Sequence, residues 1–300
     1  MVRRTLQPAG PFPELVMNGF VLNRSVPLAL RIADLAVRAL VDEAELTPKP
    51  GLVDRRGSGA HRDLTLDLMR RSAHALHDGF ARMGEAAAHA EADLALREAV
   101  GRIGREAEAD MMRVTGGVNT HRGAIWALGL LSAAAAMQPA DLTAANVARR
   151  AASLACLADR FSQPQASNGE RMRTRYGVPG ARGEAQQAFP HVIDIGLPAL
   201  RASRAAGQPE DVARLDALIA ILARLHDTCV LSRGGEAALR DAQSLARDIL
   251  RAGGTGSLQG RHLLYRLELN MLAHNASPGG AADLLAATLF LDALERQVTM

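Results

Sequence analysis

Three hundred residues, 48% hydrophobic and 22% charged, make a chain able to bury a large core and exclude a disordered one. Thirty-five basic against 32 acidic residues leave a net charge of +3, too small an excess for a nucleic-acid footprint; 3% aromatic content is too sparse for base stacking or an all-β fold. Two cysteines, Cys156 and Cys229, cannot frame a disulfide scaffold and read as free thiols in a reducing cytoplasm.

Residues 1–25 carry Pro8, Pro11 and Pro13 and no apolar stretch of signal-peptide type, and read as an irregular arm. Ser25 and Pro27 then signal a helix start, with the helix running to about Ala44. Helical periodicity continues over 64–87, 91–113, 122–137, 143–161, 184–205, 209–225, 236–252, 257–274 and 280–297. The longest apolar run, Gly123 to Met137, is shorter than the ~20 residues of a membrane span and reads as a buried helix. No stretch alternates like a strand. The expectation is an all-α fold with residues 26–300 in a single compact multi-helix domain, and no membrane segment.

The unusual residues lie between these helices. Five segments join glycines to charged or hydrogen-bonding residues beside a helix start: Thr47 to Asp54 with Gly59 to Asp63; Thr115 to Gly123; Tyr176 to Glu184; Asp227 to Gly235; and Asn275 to Asp283. A glycine loop at a helix N-terminus presents backbone N–H groups and the positive end of the dipole, which suits phosphate. One such loop is more often a simple turn and cap. Five in one chain, four of them with Arg or Lys, predict a nucleotide or other polyanion site. Lys49 is the sole lysine, the other 34 basic residues being arginine. It marks either chance or a place where a compact ammonium fits and a guanidinium does not. Neither a Walker-type phosphate loop nor a zinc motif is present, and Gly254 to Gly260 reads as a turn.

Taken together, Thr47-Pro48-Lys49-Pro50-Gly51-Leu52-Val53-Asp54, Gly117-Val118-Asn119-Thr120-His121-Arg122-Gly123-Ala124, Tyr176-Gly177-Val178-Pro179-Gly180-Ala181-Arg182-Gly183-Glu184-Ala185, Asp227-Thr228 with Arg233-Gly234-Gly235, and Ser277-Pro278-Gly279-Gly280-Ala281-Ala282-Asp283 resemble the triphosphoribosyl-dephospho-CoA synthase family, from about residue 40 to the C-terminus. The resemblance implies transfer of the triphosphoribosyl group of ATP to the 2′-hydroxyl of 3′-dephospho-CoA with release of adenine. The product would be the prosthetic-group precursor of malonate decarboxylase, the favoured branch, or of citrate lyase. It implies a downstream partner transferase and acyl carrier protein, a cytoplasmic location and a possible homodimer. Two positions depart from the family pattern: Arg122 where Lys is expected, and Ala188 where Gly is expected.

Such a reaction passes through an oxocarbenium-like state at the ribose C1 and needs cations for phosphate, a carboxylate base and Mg²⁺ on the triphosphate. Lys49, Arg122, Arg182 and Arg233 are the candidate phosphate cations, with Gly117, Asn119, Gly279 and Gly280 supplying loop contacts and Tyr176 stacking on adenine. Asp54 is the first choice for the base, with Glu184 and His121 beside it as catalytic candidates and Asp63 and Asp227 as Mg²⁺ ligands. Glu184, Asp227 and Asp283 could equally cap helices. Two other readings share these residues: a Mg²⁺-dependent helical hydrolase of a nucleotide N-glycosidic bond, and a non-catalytic nucleotide-binding module.

Overall fold

A computed structural model describes residues 27–162 and 168–298; the predicted N-terminal arm and the Ser25 cap lie outside the described residues. The elements, in order, are α1 (Leu28–Glu45), α2 (Leu66–Ala75), α3 (His77–Ala87), α4 (Leu94–Val114), α5 (Arg122–Met137), α6 (Ala144–Cys156), α7 (Asn168–Tyr176), α8 (Gly180–Gln186), a π-helical turn (His191–Gly196), α9 (Leu197–Ala205), α10 (Glu210–Leu222), α11 (Thr228–Arg251), α12 (Leu258–Ala273) and α13 (Gly279–Val298). The described residues contain no strand, so the all-α expectation holds.

Three helices make the centre. In α1, Ile32, Ala33, Leu35, Ala36, Ala39 and Leu40 recur at the helical period and are buried. The run predicted as a buried helix is α5, with buried side chains from Ala124 to Ala136 on all its faces. It packs against α1, α3, α6 and α13, and α13 packs against α1, α10 and α5. Alanine and glycine let these helices approach closely: a Cβ on Gly84 of α3 would lie 3.2 Å from the Cβ of Ala29. Burying Leu128, Leu131 or Phe290 here contributes roughly 1.5–3 kcal/mol each.

Several boundaries differ from the sequence expectation. The 64–87 run is two helices, divided at Leu76. The 184–205 run is broken because Ala188 (φ 61°) and Phe189 (φ 56°) adopt the left-handed region. A glycine at 188 would enter that conformation without the cost an alanine bears, roughly 1–2 kcal/mol. The Asp227 to Gly235 segment, predicted as a loop, is helical from Thr228 and kinks at Gly235 (φ 70°). Helix α7 was not predicted, being strongly polar with no apolar stripe.

Candidate active site

Four of the five glycine segments converge on one cavity of about 220 Å³. Lys49, Leu52 and His61 come from the α1–α2 connection, Asn119 to Gly123 from the start of α5, Cys229 and Arg233 from α11, and Ser277, Gly279 and Asp283 from the start of α13. Helix α1 adds Glu43. The N-termini of α5, α11 and α13 thus meet here.

Asp227 ties two of those termini together. It is buried, and its Oδ1 accepts from Cys229 N at 2.8 Å and Val230 N at 3.3 Å, capping α11. Its Oδ2 accepts from Ala281 N at 2.8 Å in the first turn of α13. Burial lifts its carboxyl above the usual range, against the pull of these amides and that of Gly280.

The α1–α2 connection is braced from within. Asp54 is 2% exposed and accepts from Lys49 N at 2.9 Å, Arg56 N at 2.7 Å and the Arg56 guanidinium. Gly51 requires its glycine: with φ at 69°, a Cβ would stand 2.7 Å from the Ala276 carbonyl. Lys49 is 1% exposed. Its Nζ donates to the Glu43 carbonyl and, at 2.6 Å, to Glu43 Oε1.

Asp283 stands opposite. It accepts from the backbone of Ala124, so a side chain of α13 caps α5. This approach depends on Gly123, where a Cβ would lie 2.0 Å from Asp283 Oδ2. Among the described residues no cation pairs with Asp283. Burial raises its carboxyl well above the ordinary range, and the negative charges of Glu43 and Asp227 raise it further.

Both histidines of the cavity are held neutral. Burial, with help from Lys49, pushes His121 down to about 3. Its Nδ1 pairs with Ser72 Oγ at 2.9 Å and its Nε2 has no partner. Burial and the neighbouring Arg233 push His61 down to about 4. Arg233 Nη2 donates to His61 Nδ1 at 3.0 Å, so His61 carries its proton on Nε2, toward Ser277 Oγ at 2.9 Å.

A second, open groove of about 690 Å³ runs between α4 and α5, and Arg122 lines both it and the cavity. The two spaces are therefore neighbours that share Arg122, whose guanidinium pairs with Glu108.

Comparison with known proteins supplies the chemistry. A family model described as CitG, ATP:dephospho-CoA triphosphoribosyl transferase, matches residues 29–300. The chain belongs to this family. It is 62% identical over 282 residues to a probable 2-(5″-triphosphoribosyl)-3′-dephosphocoenzyme-A synthase of Azotobacter vinelandii, covering 93% of this chain and 97% of the relative. It is 58% identical over 281 residues to a probable synthase of the same description from Pseudomonas fluorescens, with the same coverage. It is 57% identical over 261 residues to the 2-(5″-triphosphoribosyl)-3′-dephosphocoenzyme-A synthase of Klebsiella pneumoniae, covering 87% of this chain and 93% of the relative. No solved structure matches. The chain is a transferase, and the resemblance read from its motifs is confirmed.

Within this transferase the predicted residues fall into three groups. Lys49, Asn119, His121, Arg122, Arg233 and Gly279 line the cavity, whereas Gly280 adjoins it with its N–H directed to Asp227. Asp54, Asp63, Gly117 and Asp227 do not line it. Asp54 and Asp227 have their oxygens filled by neighbouring donors, Gly117 N donates to Met112 O to close α4, and Asp63 is exposed. The third group belongs to the fifth segment. Glu184 is buried and accepts from His191 N at 2.8 Å and pairs with His191 Nδ1 at 2.7 Å. This carboxylate raises the His191 ring above its usual value. Tyr176 lies under the Arg175 guanidinium at 5.2 Å. Burial lowers the Arg97 guanidinium in the groove, and the charges of Arg105 and Arg182 lower it further.

Sequence reasoning missed Glu43. It sits inside a regular amphipathic helix, with no glycine or proline to draw attention. Its one signal is that a carboxylate falls on the apolar face of α1, two positions before Glu45.

Proposed function

We propose that this transferase joins the triphosphoribosyl group of ATP to the 2′-hydroxyl of 3′-dephospho-CoA, with Asp283 as the proton acceptor. The O2′–C1 bond forms and the C1–N9 bond of ATP breaks. The hydroxyl proton passes to the Asp283 carboxylate, and adenine leaves with the bonding electrons and takes up a proton. The observation that carries this reading is the unpaired Asp283 carboxyl in the cavity beside Glu43, raised well above the usual carboxylate range. A base works best with its pKa near the working pH, and burial beside a like charge moves an aspartate that way. As carboxylates, Asp283 and Glu43 also favour the positive charge that develops at C1. Lys49 holds Glu43 in place through its two hydrogen bonds. Neutral His121 offers its unpartnered Nε2 to the ligand as a polar contact and not as a cation.

Magnesium enters this scheme with ATP, as its chelate. Asp63 and Asp227 do not suit a resident ion, because the oxygens of Asp227 already accept backbone N–H groups and Asp63 lies outside the cavity. Among the described residues no group of three or more His, Cys, Asp or Glu is placed to hold one. The product would serve as prosthetic-group precursor for the acyl carrier protein of malonate decarboxylase or citrate lyase, and transfer onto each carrier distinguishes the two.

Incubation with MgATP and 3′-dephospho-CoA should release adenine only when both are present. The product mass should retain all three phosphates. Asp283→Asn keeps an acceptor for the Ala124 amide and removes the base, so kcat should fall by about 10²–10⁴-fold with no loss in Tm at pH 8. The sign of the stability effect follows from the raised folded pKa. Asp283 stabilises the fold while protonated and loses that contribution as pH rises through its folded value, so a neutral isostere removes a penalty at pH 8. In the parent, kcat/KM should rise with pH on a limb that the Asn variant lacks. Adenine release at the parental rate from Asp283→Asn would sink the assignment; inorganic phosphate or ADP as the main product would sink the reaction.

A further inference from the structure

The α4–α5 groove has no counterpart among the glycine segments. Its floor is apolar, from Val100, Ile125 and Met112, and is open over Gly104, whereas the space over Gly101 is taken by Asp159 and that over Gly129 by Met83. Its rim carries Arg97, Arg105 and Arg122 against Asp159 and Glu108, leaving one positive charge in excess. Arg97 is 7% exposed and its guanidinium lies over Trp126 at 5.3 Å. Among the described residues the Nε of Arg97 and the Nε of Arg122 are buried without a hydrogen-bond partner, so what the groove offers an anionic ligand is the outer N–H groups of its three guanidinium forks. Asp159 holds Arg105 at 2.7 Å, which depends on Gly101, where a Cβ would lie 2.1 Å from Asp159 Oδ2.

We infer that this groove is the acceptor site, seating 3′-dephospho-CoA with its pyrophosphate at the arginine rim and its pantetheine arm on the glycine and methionine floor. The inference rests on the proposed reaction. Two substrates must meet at one carboxylate centre, and the cavity of about 220 Å³ is too small to hold both, whereas the adjoining groove of about 690 Å³ has the volume of a further ligand site. The choice between substrates follows from charge and surface. A single excess positive charge matches a pyrophosphate diester better than the more heavily charged triphosphate. An extended apolar floor matches the long uncharged arm, which ATP lacks. Arg122, shared by both spaces, then stands where the acceptor ribose would turn from the groove toward Asp283.

Gly104 offers a test that leaves the backbone alone. It lies within α4 and a Cβ there meets only Met83 Cε at 3.5 Å, an ordinary contact. Replacing glycine inside a helix also improves helix propensity. Gly104→Leu should fill the floor and weaken dephospho-CoA binding by calorimetry at least tenfold. The ATP Kd should stay within twofold and the Tm should not fall. Arg105→Gln, a change at a partly exposed side chain, is the second variant and decides the matter if the leucine variant melts early; it should weaken dephospho-CoA at least threefold and spare ATP. Unchanged dephospho-CoA affinity in the folded variants, or a loss confined to ATP or shared equally by both ligands, overturns the inference. A parent that releases adenine while its dephospho-CoA affinity ignores both changes refutes the groove alone. A parent that binds dephospho-CoA in a Gly104-dependent way and releases no adenine with ATP supports the groove and refutes the reaction.

Discussion

The cavity and the groove are neighbours built in opposite ways. The cavity is made of loop ends and helix N-termini, and two of its cations are held by named partners: Lys49 by Glu43, and Arg233 by His61 and the Ala60 carbonyl; behind it Asp227 ties together the amides of α11 and α13. The groove is made chiefly of the faces of two regular helices, with open space over Gly104. The first kind of site announces itself through unusual residues. The second is a trough whose chemistry rests on a few arginines. Substrates that differ in charge and apolar length can be told apart by such a pair of surfaces.

The largest break in the comparison should come from Gly123→Ala, at the wall of the cavity. The added methyl would stand 2.0 Å from Asp283 Oδ2, so the carboxylate must leave the start of α5 or the helices must part. Overpacking of this kind costs about 1–3 kcal/mol. Displacing the base should lower kcat by at least about a hundredfold. A steady-state assay with a melting curve checks both, and parental kcat would show that Asp283 does not work from this position.

Next in size is Lys49→Arg. The sequence argument alone expects lost activity at unchanged Tm, through a phosphate contact. The structure predicts a fall in both. Lys49 is buried against Glu43, and a wider guanidinium has no room to keep both hydrogen bonds. The Tm should drop by several degrees, as about 1–3 kcal/mol of overpacking implies, and kcat/KM for ATP should fall about tenfold or more.

The smallest effect sharpens the contrast through acid. His61, pushed down to about 4, and His121, pushed down to about 3, both belong to the cavity. Their folded values lie below the unfolded one, so their contribution to stability is complete above about pH 6.5 and is lost as pH falls through the folded values. Chemical denaturation between pH 7 and 4 should show falling stability. His121→Gln should flatten that slope, whereas a groove change such as Gly104→Leu should leave it as it is.

Much of this was legible in the sequence. Helical period and low aromatic content determined the fold class, and α5 and α13 lie where periodicity put them, to within a residue. The glycine segments pointed to the cavity because loops beside helix starts carry backbone signals that survive out of context: positive φ at Gly51 and caps at Asp227. Asp54 drew attention on the same grounds, yet its carboxylate folds back on its own loop, through contacts with Lys49 N and Arg56 only five and two residues away.

What only tertiary structure decided is which carboxylates face the cavity and where the second space lies. Glu43 occupies an ordinary position in α1, and Asp283, at the end of the fifth glycine segment, reads in sequence as a cap in the first turn of α13. They become neighbours because α1 and α13, far apart in the chain, pack directly against each other, while Gly123 leaves room for Asp283 at the start of α5. The groove is set by the spacing of α4 and α5, and a helix glycine reads the same in sequence whether it lines a trough or touches another helix. Local backbone preference is written within a few residues, whereas the exposure and field around a side chain depend on everything packed against it.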